Sequence, residues 1–410
     1  MFFIKKLWCR VFQLGFRLAL PILPYRKPEI LASCDALGTM LTHKTAHRVP
    51  AQSVLIVTDR GIVQNGHCTP LCDALSANGI GYTIYDETQP NPTVDNVEDA
   101  YALWCEHHCD TLIAIGGGSA MDCAKAVGVR AAYPHRKIGQ SAGILRVWRS
   151  LPTLIAIPTT AGTGSETTLA AVITDPARKH KYAIMSFPLI PHVTVLDPTL
   201  TKTLPPHLTA TTGMDALTHA VEAYIGRSTT KETRALAVSA VKRIFANIER
   251  AYRDGSDLCA REEMLHAAYE AGAAFSKSYV GYVHALAHAL GGRYGTPHGL
   301  ANAVILPYVL EGYGASAHKK LHKLGIAAGI CTEHDTPEDG ARSFIAAICL
   351  LNERMGIPKT IDGIRRDDIP LLAAQAAHEA NPLYPVPRLM DAAELTPFLN
   401  MITGEHHENL

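Results

Sequence analysis

Residues Gly281–Pro307 have the sequence GYVHALAHALGGRYGTPHGLANAVILP, in which three histidines stand among small and apolar residues. His284 and His288 are four residues apart, so on a helix both imidazoles lie on one face. The paired glycines beginning at Gly291 can end this helix, and the Pro-His-Gly turn that follows would present His298. This stretch therefore predicts a site that gathers several imidazoles.

A second stretch, GMDALTHAVEAY at Gly213–Tyr224, repeats the same spacing with a carboxylate, because Asp215 and His219 are also four residues apart. An isolated H-x-x-x-H pair is usually two surface imidazoles. Two helical pairs and a further imidazole in apolar surroundings are harder to explain that way, since buried polar groups need partners. The mixed oxygen and nitrogen donors of Asp215, His219, His284 and His298 therefore predict a site for one divalent metal.

Length and composition limit the class of protein. A chain of 410 residues predicts two domains, and 47% hydrophobic with 19% charged residues is typical of a globular protein. Lys and Arg total 38, as do Asp and Glu, so the charge balance gives no sign of a nucleic-acid partner. The 10 cysteines are scattered, which indicates reduced thiols in a cytoplasmic protein. Two pairs of cysteines are four residues apart, Cys68/Cys72 and Cys105/Cys109. We expect them on ordinary helix faces, and a zinc knuckle is the alternative.

Residues 1–28 differ from the rest of the chain, because apolar side chains at helical spacing alternate there with Lys5, Lys6, Arg10 and Arg17. Arg17 interrupts the apolar run, so a secretory signal is not expected, and the segment is too short and too charged to span a bilayer. A basic amphipathic helix on a membrane surface is allowed. The favoured interpretation is an N-terminal extension that packs its apolar face on its own protein or on a second subunit.

Residues 29–204 alternate strand, turn and helix. Apolar runs predict strands at 54–58, 81–85, 111–115, 154–157 and 193–196. This alternation predicts a parallel α/β sheet with ligands at the carboxyl ends of its strands. The Pro-rich segment 197–206 marks a boundary, and residues 205–410 show helical periodicity. The expected fold is an N-terminal α/β domain followed by an all-α domain that carries the metal ligands.

A glycine-rich turn, GGGS at Gly116–Ser119, follows one of these strands and precedes a helix. Glycines let the backbone approach a pyrophosphate closely, and the helix N-terminus offers free N–H groups and a positive dipole end. Ser119 and Asp122 also fit a helix capping box, which is the structural alternative for those side chains. The turn is thus a moderately specific sign of a nucleotide.

Residues 159–165, TTAGTGS, form a second loop of hydroxyls and glycines at a neighbouring strand end, which favours a common nucleotide ligand over a plain polar loop. Asp59 ends the first strand, where an acid can accept from a ribose 2′-OH and select NAD over NADP. By itself such an Asp is usually a turn or helix cap. The acid precedes the glycines here, unlike the usual fingerprint, so this is a different dinucleotide domain or none.

In their order, Asp59, GGGSAMD, PTTAGTGSE, GMDALTHAVEAY and the histidine stretch resemble the iron-containing (group III) alcohol dehydrogenases. The resemblance extends from about residue 29 into the low 300s, and residues 1–28 have no counterpart in it. It implies a dinucleotide-binding α/β domain followed by an all-helical domain. The resemblance also implies which residues are metal ligands, namely Asp215, His219, His284 and His298.

Further roles follow from the same resemblance. His288 corresponds to an extra histidine beside nicotinamide and substrate, and it is the candidate catalytic residue that relays the proton. The implied cofactor-binding residues are Asp59, Gly117, Gly118, Ser119, Asp122, Thr159, Thr160, Thr163, Ser165 and Lys181.

The resemblance implies NAD-linked alcohol oxidation or aldehyde reduction, with a metal acting on the substrate oxygen and hydride passing to or from nicotinamide. Fe²⁺ is the implied ion, although a carboxylate and three imidazoles also suit Zn²⁺. The expected partners are a small alcohol or aldehyde and a second copy of the chain in a dimer. Two alternatives stay open: a zinc-dependent polyol dehydrogenase of the same superfamily, and a membrane-associated scaffold that retains the fold.

Overall fold

Short apolar runs in the first half of the chain build two β-sheets. The protein was analysed as a computed structural model, which describes residues 2–43, 50–177 and 180–404. The strands of this described part are β1 Glu29–Leu31, β2 Ser53–Val57, β3 Gly81–Tyr85, β4 Thr111–Gly116, β5 Gly143–Ile144, β6 Thr153–Pro158, β7 Ala170–Asp175, β8 His180–Met185 and β9 Val193–Val195.

The larger sheet has the strand order β1-β9-β6-β4-β2-β3, and all its neighbouring strands are parallel. Its central strands β2, β4 and β6 are almost wholly buried, as expected for a parallel sheet with helices on both faces. The smaller sheet has the order β5-β8-β7, in which β7 and β8 are antiparallel. The predicted parallel sheet is confirmed.

The register of the three central strands brings their carboxyl ends to one edge. Val57 of β2 lies opposite Ala114 of β4, and Gly116 of β4 lies opposite Pro158 of β6. The amide of Thr159 donates to the carbonyl of Gly116 at 3.0 Å, which ties the two glycine-rich loops together. The three segments singled out in the sequence therefore meet at a single sheet edge.

Helices surround the larger sheet and one further helix begins the chain. They are α1 Phe2–Ala19, α2 Cys34–Leu41, α3 Arg60–Gln64, α4 Thr69–Ala77, α5 Val94–Glu106 and α6 Gly118–Ala132. The sheet separates two apolar layers, one in which α5 and α6 pack and one in which α2 and α4 pack. Of these helices, α6 begins at the GGGS turn, so its N-terminus lies at the sheet edge where the carboxyl ends of the central strands meet.

The second half is helical, as predicted. It consists of α7 Pro206–Ile225, α8 Lys231–Arg253, α9 Leu258–Ser278, α10 Tyr282–Tyr294, α11 His298–Tyr313, α12 His318–Ala327, α13 Pro337–Arg354, α14 Ile369–Ala380 and α15 Ala392–Ile402. The central helix is α7, which packs against α8, α9 and α11 and is buried without a break from Gly213 to Ile225. A polar side chain on this part of α7 is therefore buried whichever way it points.

Two expectations about the histidine stretch need correction. The helix does not end at Gly291 and Gly292 but continues to Tyr294, because the backbone first turns left-handed (φ +68°) at Gly295. Glycine in a helix costs only roughly 1 kcal/mol, which tertiary packing can offset. His298 is presented not by a turn but as the first residue of α11, after Pro297.

The N-terminal helix α1 is also oriented differently from the favoured interpretation. Its buried residues include Cys9 and Gln13, whereas Leu7, Trp8 and Val11 are more than half exposed. For the described side chains, the apolar face therefore does not pack on this chain, and packing on a second subunit, the other part of the same expectation, stays a prediction. None of the described helices has the length and apolarity needed to cross a membrane.

The chain divides into two units, Pro24–Thr203 and a second unit that joins Met1–Leu23 to Leu204–Leu410. The division lies one residue from the boundary expected between residues 204 and 205. The N-terminal helix thus groups with the helical half, and all four candidate metal ligands lie in that unit.

Candidate metal centre and nucleotide loops

The helical unit brings the four predicted metal ligands together. Asp215 and His219 project from α7, His284 from α10 and His298 from the start of α11, with one donor atom of each within 4.8 Å of the others. Asp215 Oδ1 lies 3.5 Å from His298 Nε2, 3.8 Å from His284 Nε2 and 4.0 Å from His219 Nδ1. Three side chains are buried, while His298 is 40% exposed and leaves one side accessible.

These distances fit a shared metal ion better than hydrogen bonds. They exceed the roughly 2.9 Å of a typical N–H···O bond. Two ligands about 2.1 Å from one tetrahedral ion lie roughly 3–3.5 Å apart, close to the observed spacing. The buried Nε2 of His284 has no hydrogen-bond partner among the residues described, and a metal would give it one. Carboxylate with imidazoles suits Fe²⁺ and Zn²⁺ alike.

A carboxylate that sequence analysis did not single out, Glu222, orients His284. Its side chain is 1% exposed and accepts from the amides of Gly281 at 2.7 Å and Val283 at 2.9 Å, while His284 Nδ1 lies 2.7 Å from Oε2. Burial raises the pKa of Glu222 to about 7, and the N–H donors act in the opposite direction. Since Nδ1 is held by Glu222, Nε2 is the nitrogen left to face the ligand cluster.

Burial also sets the protonation state of His284 itself. It lowers the pKa of this imidazole well below its usual value, and the neighbouring His219 and His298 lower it further. A neutral imidazole is the form that binds a metal. The surroundings of His284 therefore favour its ligand form.

Two further side chains fix the ligands without joining the cluster. The ring of Phe275 stacks on His219 with centroids 4.1 Å apart. Asn302, fully buried one turn after His298, donates from Nδ2 to Asp215 Oδ1 at 2.6 Å, and the same atom lies 3.1 Å from His298 Nε2. Apolar and amide contacts of this kind limit the rotation of the ligands.

His288 lies beside the cluster but is not part of it. Its ring stacks on that of His298 at 5.2 Å, and its Nδ1 lies 2.7 Å from Glu379 Oε1, which also accepts from the hydroxyl of Tyr384 at 2.7 Å. Burial lowers the pKa of His288, but Glu379, together with Asp215 and Glu222, raises it, and the net shift is upward. The side chain is 44% exposed, so a substrate has access to it.

In the other unit, the two glycine-rich loops touch each other. A Cβ added at Gly118 would lie 3.2–3.4 Å from side-chain atoms of Thr163, and one at Gly117 would lie 3.7 Å from Thr160. Gly116 has φ +148°, a conformation that favours glycine. The loops therefore form a narrow backbone-lined edge at the N-terminus of α6, which suits a pyrophosphate.

Asp59 has a structural role that leaves one of its oxygens available for the predicted one. Its Oδ1 accepts from the amide of Ile62 at 3.1 Å and caps α3. The second oxygen, Oδ2, lies 3.8 Å from where a Cβ of Gly116 would be, so it faces the same edge as the glycine loop. Helix capping uses one oxygen and leaves Oδ2 on the side where a ribose is predicted.

Asp122 and Ser165 are held in a buried network with Lys125. Asp122 accepts from Ser165 Oγ and from the amide of Val172, both at 3.0 Å. Lys125 donates to the carbonyl of Ser165 at 2.7 Å and to its hydroxyl at 2.9 Å. Burial lowers the pKa of Lys125 to about 8, although Asp122 opposes this shift. These contacts fix the second loop against α6, and Lys125 was not found by sequence analysis.

Lys181 and Ser119 both contact Asn91. Lys181 Nζ donates to Asn91 Oδ1 at 2.8 Å, and the backbone amide of Asn91 donates to Ser119 Oγ at 3.3 Å. Asn91 has a left-handed backbone (φ 60°), which Asn tolerates better than most residues. Three polar residues from different segments thus meet beside the start of α6.

Comparison with known proteins identifies the family. Residues 34–198 match the family described as iron-containing alcohol dehydrogenase, and residues 209–402 match the C-terminal part of the Fe-containing alcohol dehydrogenase family. The chain is 39% identical over 334 residues to a 1,3-propanediol dehydrogenase of Citrobacter freundii, which covers 80% of this chain and 86% of that protein. The chain belongs to the iron-containing alcohol dehydrogenase family.

Two further relatives bear on fold and cofactor. An NAD-dependent methanol dehydrogenase of Bacillus methanolicus is 36% identical over 331 residues, or 80% of this chain and 87% of that protein. The crystal structure of a 1,3-propanediol oxidoreductase has a TM-score of 0.86 and 35% identity, covering 92% of this chain and 98% of that one. The 1,3-propanediol oxidoreductase therefore shares the fold found here.

The sequence-based predictions of family, fold class and alcohol dehydrogenase activity are confirmed by these matches. The cofactor prediction is confirmed as well, because the family is iron-containing and its solved members include one in complex with NAD⁺. The matches do not favour a polyol dehydrogenase using zinc or a scaffold. The assignment of individual site residues stays a prediction.

Removing the charge of Glu222 tests its role in orienting His284. We expect Glu222→Gln to weaken metal binding about 10- to 100-fold, the usual effect of losing the partner of a ligating histidine. Competition titration with a chromogenic chelator measures the affinity, and Glu262→Gln, at an exposed position of α9, is the matched control. Unchanged affinity in a stably folded Glu222→Gln variant would remove Glu222 from this role.

Proposed function

We propose that this member of the family interconverts a short primary alcohol or diol and its aldehyde, with NAD as the hydride carrier. The observation on which the proposal depends is the buried cluster of Asp215, His219, His284 and His298, open to solvent on the side of His298. The relatives named for propanediol and methanol suggest a small hydroxylated substrate. The exposed position of His298 leaves room for such a molecule beside the cluster.

In this mechanism Asp215, His219, His284 and His298 would hold the iron, which would supply Lewis acidity toward the substrate oxygen, and NAD would supply or accept the hydride. The protein contributes position and proton transfer. Glu222 keeps the Nε2 of His284 directed into the cluster. His288, held through Nδ1 by Glu379, has its Nε2 left to take the proton released by an alcohol or to return it to an aldehyde.

On the nucleotide side, we propose that the amides at the start of α6 and the two glycine-rich loops bind the pyrophosphate. Gly117, Gly118, Ser119, Thr159, Thr160 and Thr163 are the candidates for direct contact. For Asp122 and Ser165, the buried network with Lys125 supports a role in shaping the loop. Lys181 and Asn91 are placed to bind ribose hydroxyls together.

The test is metal analysis of protein purified without added metal or chelator, combined with NADH oxidation against short aldehydes and diols. We expect about one iron per chain and aldehyde-dependent loss of NADH, as four ligands for one ion imply. Zinc in place of iron, with turnover retained, would correct the metal and keep the mechanism. Metal-free protein without turnover would contradict the proposal.

The proposed relay is tested by His288→Ala. We expect turnover to fall roughly 100-fold or more while metal stays bound, because general acid–base groups contribute on the order of 10²–10⁴ in rate. Turnover and metal content are measured on the same sample. His378→Ala, at an exposed position of α14, is the control. Loss of metal from His288→Ala would instead make His288 a ligand.

The cofactor preference proposed for Asp59 is tested by Asp59→Asn. The amide keeps an oxygen to cap α3 but removes the charge that disfavours a 2′-phosphate. We expect kcat/KM with NADP to rise about tenfold relative to NAD, the change that roughly 1.4 kcal/mol produces. Asp86→Asn, after the neighbouring strand β3, is the control. An unchanged ratio would place Asp59 away from the ribose.

We also propose that the protein works in the cytoplasm as a homo-oligomer. All ten cysteines are free, as expected in a reducing compartment. Large apolar side chains stand exposed in the nucleotide unit, at Ile144 of β5, Val172 of β7 and Trp148. Such a surface is suited to a subunit contact. Light scattering after size-exclusion chromatography measures the mass, and a monomer at high concentration would contradict this proposal.

A further inference from the structure

Helix α1 presents an apolar stripe to solvent. Leu7, Val11, Leu14 and Leu18 follow one another at spacings of four, three and four, so they lie on one line along the helix, and each is between 55% and 72% exposed. Trp8 lies beside this line and is 60% exposed. A contiguous apolar surface of this kind indicates a contact with another molecule. We call these residues, with Phe12, the α1 stripe.

The opposite side of α1 is anchored, so the outward direction of the stripe is fixed. Arg10 donates to the carbonyls of Val386 at 2.8 Å and Pro387 at 3.0 Å. The buried Gln13 donates from Nε2 to the carbonyl of Tyr384 at 2.8 Å. Arg10, Gln13 and the buried Cys9 therefore face the protein, whereas the residues of the α1 stripe face outward.

A basic cavity of about 750 Å³ lies beside the C-terminal part of α1, where Arg17, the residue before Leu18 of the stripe, lines it. Its cationic lining residues are Arg17, Arg227, Arg234, Lys319, Lys320 and Lys323. Arg17 belongs to α1, so the cavity and the stripe share one helix. In the described part of the chain none of the six cations forms an ion pair. No carboxylate of the described residues thus neutralises their positive charge.

Lys320 shows how strongly the cavity concentrates charge. It donates to the carbonyls of Ile225 and Gly226 at the end of α7. Burial lowers its pKa to about 8, and the nearby Arg234, Arg227 and Arg17 lower it further. An anion in the cavity would relieve this repulsion.

We propose that this face docks on an anionic phospholipid bilayer, with the α1 stripe entering the acyl boundary and the basic cavity holding headgroup phosphates. Apolar side chains with tryptophan, flanked by cations, are what the surface of such a bilayer binds. Family similarity begins at residue 34, so α1 lies outside the residues that match other members. The α1 stripe is thus outside the family match, whereas five of the six cavity cations lie within it.

Charge distinguishes this occupant from two others. A symmetric dimer through the α1 stripe would cover its apolar side chains but would supply no anion to either basic cavity. A soluble anion would fill the cavity but leave the apolar α1 stripe exposed to water. Only a surface that is both apolar and anionic can bury the α1 stripe and neutralise the cations of the cavity at the same time.

The proposal is tested with the full chain and sedimenting vesicles. We expect binding to vesicles of phosphatidylcholine mixed with phosphatidylglycerol, little binding to phosphatidylcholine alone, and loss of binding at high salt. Leu14→Ser with Leu18→Ser, and separately Lys319→Gln with Lys323→Gln, should each lower the partition coefficient about tenfold or more. All four side chains are exposed, so the fold and the dehydrogenase activity should be unchanged.

Matched controls and alternative outcomes complete the test. Lys242→Gln with Lys359→Gln removes two exposed lysines elsewhere in the same unit and should bind vesicles as the parent protein does. Equal binding to neutral and anionic vesicles, or binding insensitive to the cavity variant, would overturn the proposal. Absence of vesicle binding would also overturn the proposal. In that case a dimer that the stripe variant abolishes would indicate a second copy as the occupant, and binding of inositol hexaphosphate in the cavity would indicate a soluble anion.

Discussion

Replacing His284 by alanine is expected to abolish bound metal and dehydrogenase activity together. His284 brings a buried, neutral imidazole to the cluster, and no other described side chain takes the place of its Nε2. Removing it leaves Asp215 buried with one partner fewer and leaves Glu222 without its imidazole. We therefore expect turnover to fall by roughly 10³-fold or more, within the range that loss of electrostatic stabilisation of a transition state produces.

Metal content by elemental analysis and NADH oxidation are measured on the same preparations. His207→Ala is the matched control, because His207 lies exposed on α7, the helix that carries two of the ligands. This control should keep both metal and activity. Full activity of a metal-free His284→Ala protein would refute the proposed role of the metal centre.

The cluster of candidate metal ligands was predictable because part of it depends on local geometry. Asp215 and His219 are four apart on one helix, and the apolar neighbours of His284 and His298 indicated burial. Glu222 had a comparable signal that was not used, since it lies three residues after His219 on the same helix. Glu379 had none, because 91 residues separate it from His288. Partners fixed by tertiary contacts alone cannot be found from spacing.

The sheets show the same distinction. Five strands of the larger sheet are runs of apolar residues and were predicted, whereas β1 is only three residues long and half exposed. The antiparallel pair β7 and β8 was missed. Exposed, half-buried and buried residues are mixed in both strands, so neither strand shows the long apolar run that marks a fully buried strand. A polar or short strand is defined by its neighbours more than by its own side chains.

The orientation of α1 could not be derived from its sequence either. Helical spacing identifies an apolar face, but it does not determine whether that face turns toward the protein. Here the contacts of Arg10 and Gln13 with the segment 382–387 decide the matter. The segment lies some 370 residues away in the chain, so only the folded structure reveals that the apolar face is exposed.

A methyl group added at Gly299 is expected to disturb the metal centre from outside. A Cβ at this position would lie 2.5 Å from the backbone carbonyl oxygen of Thr211, so α7 and α11 would have to separate. His298 and Asn302 belong to α11, and Asp215 belongs to α7, so this separation would move ligands apart. We expect Gly299→Ala to destabilise the protein by about 1–3 kcal/mol, as overpacking does.

The same substitution should also weaken metal binding, since the ligands of two helices lose their spacing. Gly292→Ala is the matched control: nothing lies within 4 Å of the added Cβ, and alanine favours a helix by up to about 1 kcal/mol over glycine. Urea unfolding and chelator competition measure the two effects. If Gly299→Ala and Gly292→Ala have the same free energy of unfolding and the same metal affinity, the close approach of α7 and α11 does not set the geometry of the site. A loss of stability with unchanged metal affinity would show that the helices can separate without moving the ligands.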